Sequence, residues 1–308
     1  MTRVAFMFPG QGSFEAGMGR DVAAAIPEAM AVYDEGSIAA GLDLKELCFE
    51  RPVEDLVHTE VQQPALVATS LAFDAALRSR GIHPDVVVGH SVGEFSALGS
   101  AGSLSAAEAI GLVRQRGVAM AEAARAHPGS MAAILGLADE AVETLCRKIS
   151  KVWPANYNCP GQLVISGETI SVDEACAEAE REGARRAIKL RVSGAFHTPL
   201  VARAAEALRP AVDRVHLREG KAAFMSTVTA KLEDAQHYKE LLVEQLTAPV
   251  KFTQAARELM RQGVKVFVEV GPGNVLTGLL KRIDRSVKAI PVGDLASLEK
   301  LRETIETA

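Results

Sequence analysis

The sequence predicts an α/β protein built on a parallel sheet, with a smaller unit of different strand order inserted into it. Three observations carry that expectation. Short apolar runs at Val4–Phe8, Val86–Gly89 and Val266–Val270 each lead into a glycine-containing loop. Helical patterns over 63–80 and 106–125 lie between such runs, as in sheets whose parallel strands are joined by crossover helices. From 130 to 192 the order changes to strand, helix, strand, strand, helix, strand.

Taken in order, Val4–Phe8 is a buried strand ending at Pro9-Gly10-Gln11-Gly12. That loop is either a tight turn or a means of bringing a backbone N–H to a site at the carboxyl end of the sheet. Its spacing fits no Walker or Rossmann phosphate loop. Val86–Gly89 runs straight into His90-Ser91-Val92-Gly93-Glu94, with a helix expected from about Val92. The helix 106–125 has a start signal, because Ser105 and Glu108 fit a capping box.

The segments 131–136, 139–149, 152–157, 163–167, 172–183 and 184–192 then follow the β-α-β-β-α-β order of a ferredoxin-like unit. This divides the chain into a large catalytic domain, 1–129 with 193–308, and an inserted small domain, 130–192. The strand Val266–Val270, ending at Gly271-Pro272-Gly273, returns the chain to the large sheet.

Composition removes several classes of function. A chain of 308 residues, 48% hydrophobic and 24% charged, buries an ordinary globular core. Its net charge of −5 and lack of a basic stripe argue against nucleic acid. No apolar run reaches the roughly 18 residues of a membrane span, and Val4–Phe8 is too short for a signal-peptide core, so the expected place is the cytoplasm. Cys48, Cys146, Cys159 and Cys176 are unevenly spaced, with no Cys-x-x-Cys pair and no zinc helix. They read as reduced structural residues, and no metal or cofactor is expected.

The chemistry starts at Ser91. Gly89-x-Ser91-x-Gly93 between a buried strand and a helix is the nucleophile-elbow pattern, in which small neighbours let a tight turn push the serine Oγ out over the sheet. A serine at this point could instead simply cap the helix, but the strand before it and the helix after it favour the nucleophile. His197, in Ser193-Gly194-Ala195-Phe196-His197-Thr198-Pro199, is the candidate base. Thr198 as N-cap and Pro199 at the first helical position would set it at a helix mouth, where the dipole opposes protonation. An exposed loop histidine is the equal alternative. His90 should point away from its neighbour Ser91. On the helix 106–125, Arg114 and Arg116 have only apolar or glycine residues three and four positions away. Each either awaits an anionic substrate or lays its stem over apolar surface, and periodicity does not choose between the two.

Six segments together resemble one family. Gly10-Gln11-Gly12, Gly89-His90-Ser91-Val92-Gly93-Glu94, Gln115-Arg116-Gly117, Asn156-Tyr157-Asn158-Cys159-Pro160-Gly161-Gln162, Ala195-Phe196-His197 and Glu269-Val270-Gly271-Pro272-Gly273 occur in one order along nearly the whole chain. They are similar to those of the malonyl-CoA:acyl carrier protein transacylases, acyltransferases of fatty acid and polyketide synthesis. The resemblance implies a hydrolase-like α/β domain with a ferredoxin-like insertion, free-standing and monomeric.

It further implies ping-pong acyl transfer, in which Ser91, with His197 as base, takes malonyl from malonyl-CoA and passes it to the phosphopantetheine thiol of acyl carrier protein. The Gln11 and Val92 N–H groups would form the oxyanion hole, and Arg116 rather than Arg114 would grip the malonyl carboxylate. A backbone carbonyl near Gln245 would orient His197, so no Asp or Glu is nominated. Phe196 would crowd a methyl branch and favour malonyl; Val92 stands where many relatives have leucine, but only its N–H is needed.

An acidic carrier protein also needs a basic surface, and Arg185, Lys189 and Arg191 would share one face of the strand 184–192, although an ordinary solvated strand face is the better explanation of them. Two other functions use the same scaffold. A serine hydrolase would show an acid between serine and histidine in the chain and leave Arg116 idle. A non-catalytic module binding acyl-CoA or carrier protein would not need Ser91, His197 and Arg116 together.

Overall fold

The computed structural model describes residues 3–192 and 194–306. Its strands, in chain order, are β1 Val4–Phe8, β2 Val86–Gly89, β3 Ser130–Leu135, β4 Val152–Cys159, β5 Gln162–Gly167, β6 Arg186–Lys189, β7 Ala223–Ser226, β8 Lys231–Glu233, β9 Val266–Val270 and β10 Lys288–Val292. They form two sheets, one of six strands in the order β10-β9-β1-β2-β7-β8 and one of four in the order β4-β5-β3-β6.

The large sheet is covered on both faces, which explains why its strands read as unbroken apolar runs. Along β1 the side chains alternate: Val4, Phe6 and Phe8 enter one apolar cluster, while Ala5 and Met7 enter another on the opposite face. Five strands run parallel, with β1 between β2 and β9. The loops after β1 and β2 therefore leave the same edge side by side, where open α/β sheets bind their ligands.

The sheet departs from expectation at its edges. β8 pairs antiparallel to β7, so the sheet is mixed rather than wholly parallel. The strands β7, β8 and β10 have no strong sequence signal because they are short or half-buried, and β10 contains Pro291.

The helices lie close to their expected ranges. The helix Ala106–Ala126 opens with the capping box of Ser105 and Glu108, both reciprocal hydrogen bonds being present. The helix Thr59–Ser79 starts earlier than the pattern suggested and carries Pro64 in its second turn. A proline there leaves the Glu60 carbonyl without its usual partner. Arg114 supplies one, donating from Nη1 to that carbonyl at 2.6 Å.

The small sheet has all its neighbours antiparallel, in the order expected of a ferredoxin-like unit. One face, with Ala132 and Ile134, packs on Val142 and Leu145 of the helix Asp139–Lys148 and on Val172 and Ala175 of the helix Thr169–Arg181. Met131 and Ala133 on the other face join the large core.

Its last strand is shorter than the expected 184–192. Val192 donates its N–H to the carbonyl of Leu190, two residues back, and this γ-turn ends the extended run after Lys189. The alternation assumed for Arg185, Lys189 and Arg191 stops with it. Lys189 pairs with Asp173, Arg185 is exposed, and Arg191 turns toward the site described below, so the three do not make one basic face. No helix among the described residues is long and apolar enough to cross a membrane.

Candidate active site

Ser91 stands on the turn between β2 and the helix Gly93–Ala101. Its φ is +54°, a left-handed conformation that costs a non-glycine residue about 1–3 kcal/mol. The turn closes only because its flanks lack side chains. A Cβ on Gly89 would lie 2.1 Å from the backbone of Gly93 and Glu94, and one on Gly93 would lie 2.2 Å from the Phe8 carbonyl oxygen. The glycines of the Gly-x-Ser-x-Gly pattern are thus required by backbone contact. Ser91 caps nothing: Val92 is the N-cap residue and no side chain bonds the first turn.

His197 faces Ser91, with Nε2 2.9 Å from the serine Oγ. Its Nδ1 lies 2.8 Å from the Gln245 carbonyl oxygen and 3.1 Å from that of Ala248. Carbonyls only accept, so Nδ1 carries the proton and Nε2 offers its lone pair to the serine. The Gln245 carbonyl is at the C-cap of the helix Ala235–Glu244, where helices leave acceptors unused, and that of Ala248 lies in the turn beyond it. The His197 N–H donates to the Leu246 carbonyl, binding the two loops together. The residue sits at φ +61° and is buried.

Burial, then the charge of Arg116, pushes the imidazole from the usual 6.5 down to about 3. The direction matches the expectation from a helix mouth, but the cause differs. Thr198 caps a 3-10 turn of only three residues, Pro199–Val201, and the α-helix Ala202–Arg214 begins beyond it.

Arg116 lies wholly buried behind Ser91. Nη1 donates to Gln63 Oε1 at 2.7 Å; Nη2 donates to Gln245 Oε1 at 2.9 Å and to Ser91 Oγ at 3.1 Å. Its Cζ sits 5.8 Å from the centre of the Phe95 ring, and its Nε has no partner among the described residues. The two arginines that periodicity left open thus have different surroundings. Arg114 mends a helix, whereas Arg116 touches the serine.

A cavity of about 370 Å³ opens over this cluster. Ser91, His197, Gln11 and Phe196 line it, with Met120 and Arg191 on its walls. Arg116, Val92 and Gln245 do not line it and stand behind. Phe196 is held in place by Gly194, where a Cβ would come within 2.6 Å of its ring. The backbone N–H groups of Gln11 and Val92, at the carboxyl ends of neighbouring strands, have no acceptor among the described residues. His90 points elsewhere, its Nε2 2.9 Å from Asn158 Oδ1 on β4.

Three residues of this network escaped the sequence reading. Gln63 reads in the sequence as a helix-start residue, yet it bridges Arg116 and Gln11. Asn158 lay in a quoted motif without a role. Glu94 is fully buried and accepts from Gln245 Nε2 at 2.9 Å, although no acidic residue had been nominated. Its signal was a carboxylate one step past the elbow, flanked by apolar residues.

Comparison with known proteins adds the following. The acyl transferase domain family model matches residues 5–303. A protein of Bacillus subtilis named malonyl CoA-acyl carrier protein transacylase is 42% identical, the match covering 99% of this chain and 98% of that protein. The crystal structure of malonyl-CoA:acyl carrier protein transacylase from Xanthomonas oryzae is 39% identical, with TM-score 0.95 and coverage of 99% and 98%. A malonyl-transacylase solved in complex with its type II polyketide synthase acyl carrier protein is 38% identical, with TM-score 0.95 and coverage of 98% and 100%.

Proposed function

The chain belongs to the acyl transferase domain family, and from that membership we infer that it moves a malonyl group from malonyl-CoA to the phosphopantetheine thiol of acyl carrier protein. The observation that carries the chemistry is the 2.9 Å contact between the Ser91 hydroxyl and the unprotonated nitrogen of His197. It supports a reaction through a malonyl-serine ester.

In this reading Ser91 Oγ attacks the thioester carbonyl as its proton passes to His197 Nε2. The oxyanion forms where the Gln11 and Val92 N–H groups have no other acceptor, and these donors stabilise it. Collapse expels coenzyme A thiolate, which takes the proton from His197. The carrier-protein thiol then gives its proton to the same nitrogen and attacks the ester; collapse expels the Ser91 oxygen, which takes that proton back from His197. Gln245, through its carbonyl, keeps His197 in the working tautomer throughout.

Arg116 takes the malonyl carboxylate. Its present partners, Gln63, Gln245 and Ser91, are all neutral, and a carboxylate makes the stronger, charge-assisted bonds to a guanidinium. Burial lowers the Arg116 pKa to about 9, so it remains a cation at neutral pH. Pairing with malonyl also offsets the charge that holds His197 down, so the base strengthens when the acid-bearing substrate binds. Phe196, packed at the cavity wall, crowds a methyl branch on the substrate.

We place these groups on a large domain, 1–129 with 193–308, carrying 130–192 as an insertion. Residues 1, 2, 193, 307 and 308 of that division lie outside the described residues. The isolated bridge between Pro128 and Gly194 supports it, because the entering and leaving chains pair where the insertion begins and ends. We take the protein to act as a monomer. Four free cysteines accord with the reducing cytoplasm.

The test is transfer of labelled malonyl from malonyl-CoA to carrier protein with and without its phosphopantetheine arm. Labelling of the armed carrier alone is expected, and release of free malonate with no labelled carrier would favour a hydrolase.

A further inference from the structure

Glu94 is the one charged group in this network to which the acyl-transfer reading gives no part. Oε1 accepts from the Thr227 N–H at 2.6 Å, the Thr227 hydroxyl at 2.9 Å and the Ser226 hydroxyl at 3.2 Å. Oε2 accepts from Gln245 Nε2 at 2.9 Å. An ionised carboxylate is an acceptor only, so Gln245 can meet it only with its NH₂. The Gln245 amide oxygen must then face the other way, where Arg116 Nη2 donates to it. The backbone carbonyl of this same glutamine receives the His197 proton donor.

We propose that Glu94 is a positioning residue for acyl transfer. By fixing which way the Gln245 amide faces, it holds Arg116 aligned for the substrate carboxylate and steadies the carbonyl that orients His197. The proposal rests on the acyl-transfer reading above.

Stability gives no reason for a carboxylate here. Its hydrogen-bond donors are neutral, and burial pushes its pKa up to about 7, so its ionised form is costly to bury. Arg116, from the helix Ala106–Ala126, is the charge that bears on it. Ser226 and Thr227 at the end of β7 and Gln245 after the helix Ala235–Glu244 do not ionise, and His197 is neutral.

A glutamine at 94 would keep its oxygen on Thr227, whose backbone N–H is a fixed donor. Its NH₂ would then confront the NH₂ of Gln245. The conflict resolves only if the Gln245 amide turns over, which sets its NH₂ against the Arg116 guanidinium.

The experiment compares the parent protein with Glu94→Gln by single-turnover acylation from malonyl-CoA and from acetyl-CoA, read by intact mass, and by thermal melting at pH 8. We expect the variant to melt at or above the parent temperature. Its malonylation should fall at least tenfold, with a smaller fall for acetyl, so that the malonyl preference shrinks. Parental rate and preference in the variant would overturn the proposal, as would a lower melting temperature with both rates falling in step.

If the variant does not fold, the parent pH profile decides. An acid limb of malonylation with a midpoint near 7 is expected while His197 remains neutral, and a flat profile from pH 5 to 8 would overturn the proposal. A parent that takes up no malonyl would overturn the acyl-transfer reading itself, and this proposal with it.

Discussion

Arg116 Nη2 lies 3.1 Å from the Oγ of Ser91, so a fully buried cation rests directly against the serine oxygen. In the proposed reaction this contact ties substrate selection to nucleophile chemistry. The guanidinium would favour the alkoxide as Ser91 gives up its proton, and the same group would bind the acid carried by the acyl chain.

Arg116→Ala therefore separates substrates. The value of kcat/KM for malonyl-CoA should fall by about 30-fold or more, the cost of removing one partner of a buried charge pair, about 2–5 kcal/mol. Acetyl-CoA, with no carboxylate to lose, should suffer less. Steady-state kinetics with both thioesters check this, and an equal loss for both would assign Arg116 to the serine alone.

His197→Ala should slow acylation of Ser91 by about 10²–10⁴-fold, the usual worth of a positioned general base. Because two backbone carbonyls hold Nδ1, Gln245→Ala keeps the tautomer and should lose less than His197→Ala. Rapid-quench acylation rates rank the two.

Gly93→Ala tests the elbow as packing. Its Cβ would meet the Phe8 carbonyl oxygen at 2.2 Å, and overpacking of this kind costs about 1–3 kcal/mol. Chemical denaturation should show the loss, with activity falling further than stability as Ser91 is displaced.

Two buried groups give stability opposite dependences on pH. His197 is depressed from 6.5 to about 3, so its contribution is present above pH 6.5 and is lost as the pH falls toward 3. Glu94 is raised from 4.5 to about 7, so its contribution is full below 4.5 and is lost as the pH rises through 7. Each slope is at most about 1.4 kcal/mol per pH unit. His197→Gln should flatten the acid side and Glu94→Gln the neutral side in denaturation curves taken from pH 4 to 8.

Phe196→Ser should narrow the preference for malonyl over methylmalonyl by about tenfold or more, since a methyl group in a pocket is worth about 1–3 kcal/mol. Competition between the two thioesters measures it.

Much of this was legible in the sequence because it lies in local signals. The buried strands announce themselves by continuous apolar runs, the capping box at Ser105 by spacing, and the elbow by glycines that the backbone contacts demand. The antiparallel order of the small sheet followed from its element sequence.

What stayed hidden depends on residues far apart in the chain. Arg114 and Arg116 look alike along their helix, and only Pro64 and Ser91, both distant, distinguish them. Glu94 has no role in the sequence beyond its place in the elbow motif, because Thr227 and Gln245, which enclose it, lie over 130 residues away. The end of β6 was missed because a γ-turn at Leu190 leaves no mark in hydrophobic periodicity.

The central claim is that Ser91 carries malonyl between two thiols. The most direct measurement is the intact mass of the protein after brief exposure to malonyl-CoA, beside Ser91→Ala, followed by addition of carrier protein. A malonyl adduct present on the parent, absent from Ser91→Ala and discharged onto the carrier is the predicted result. An adduct that persists in Ser91→Ala, or one that the carrier never receives, would contradict it.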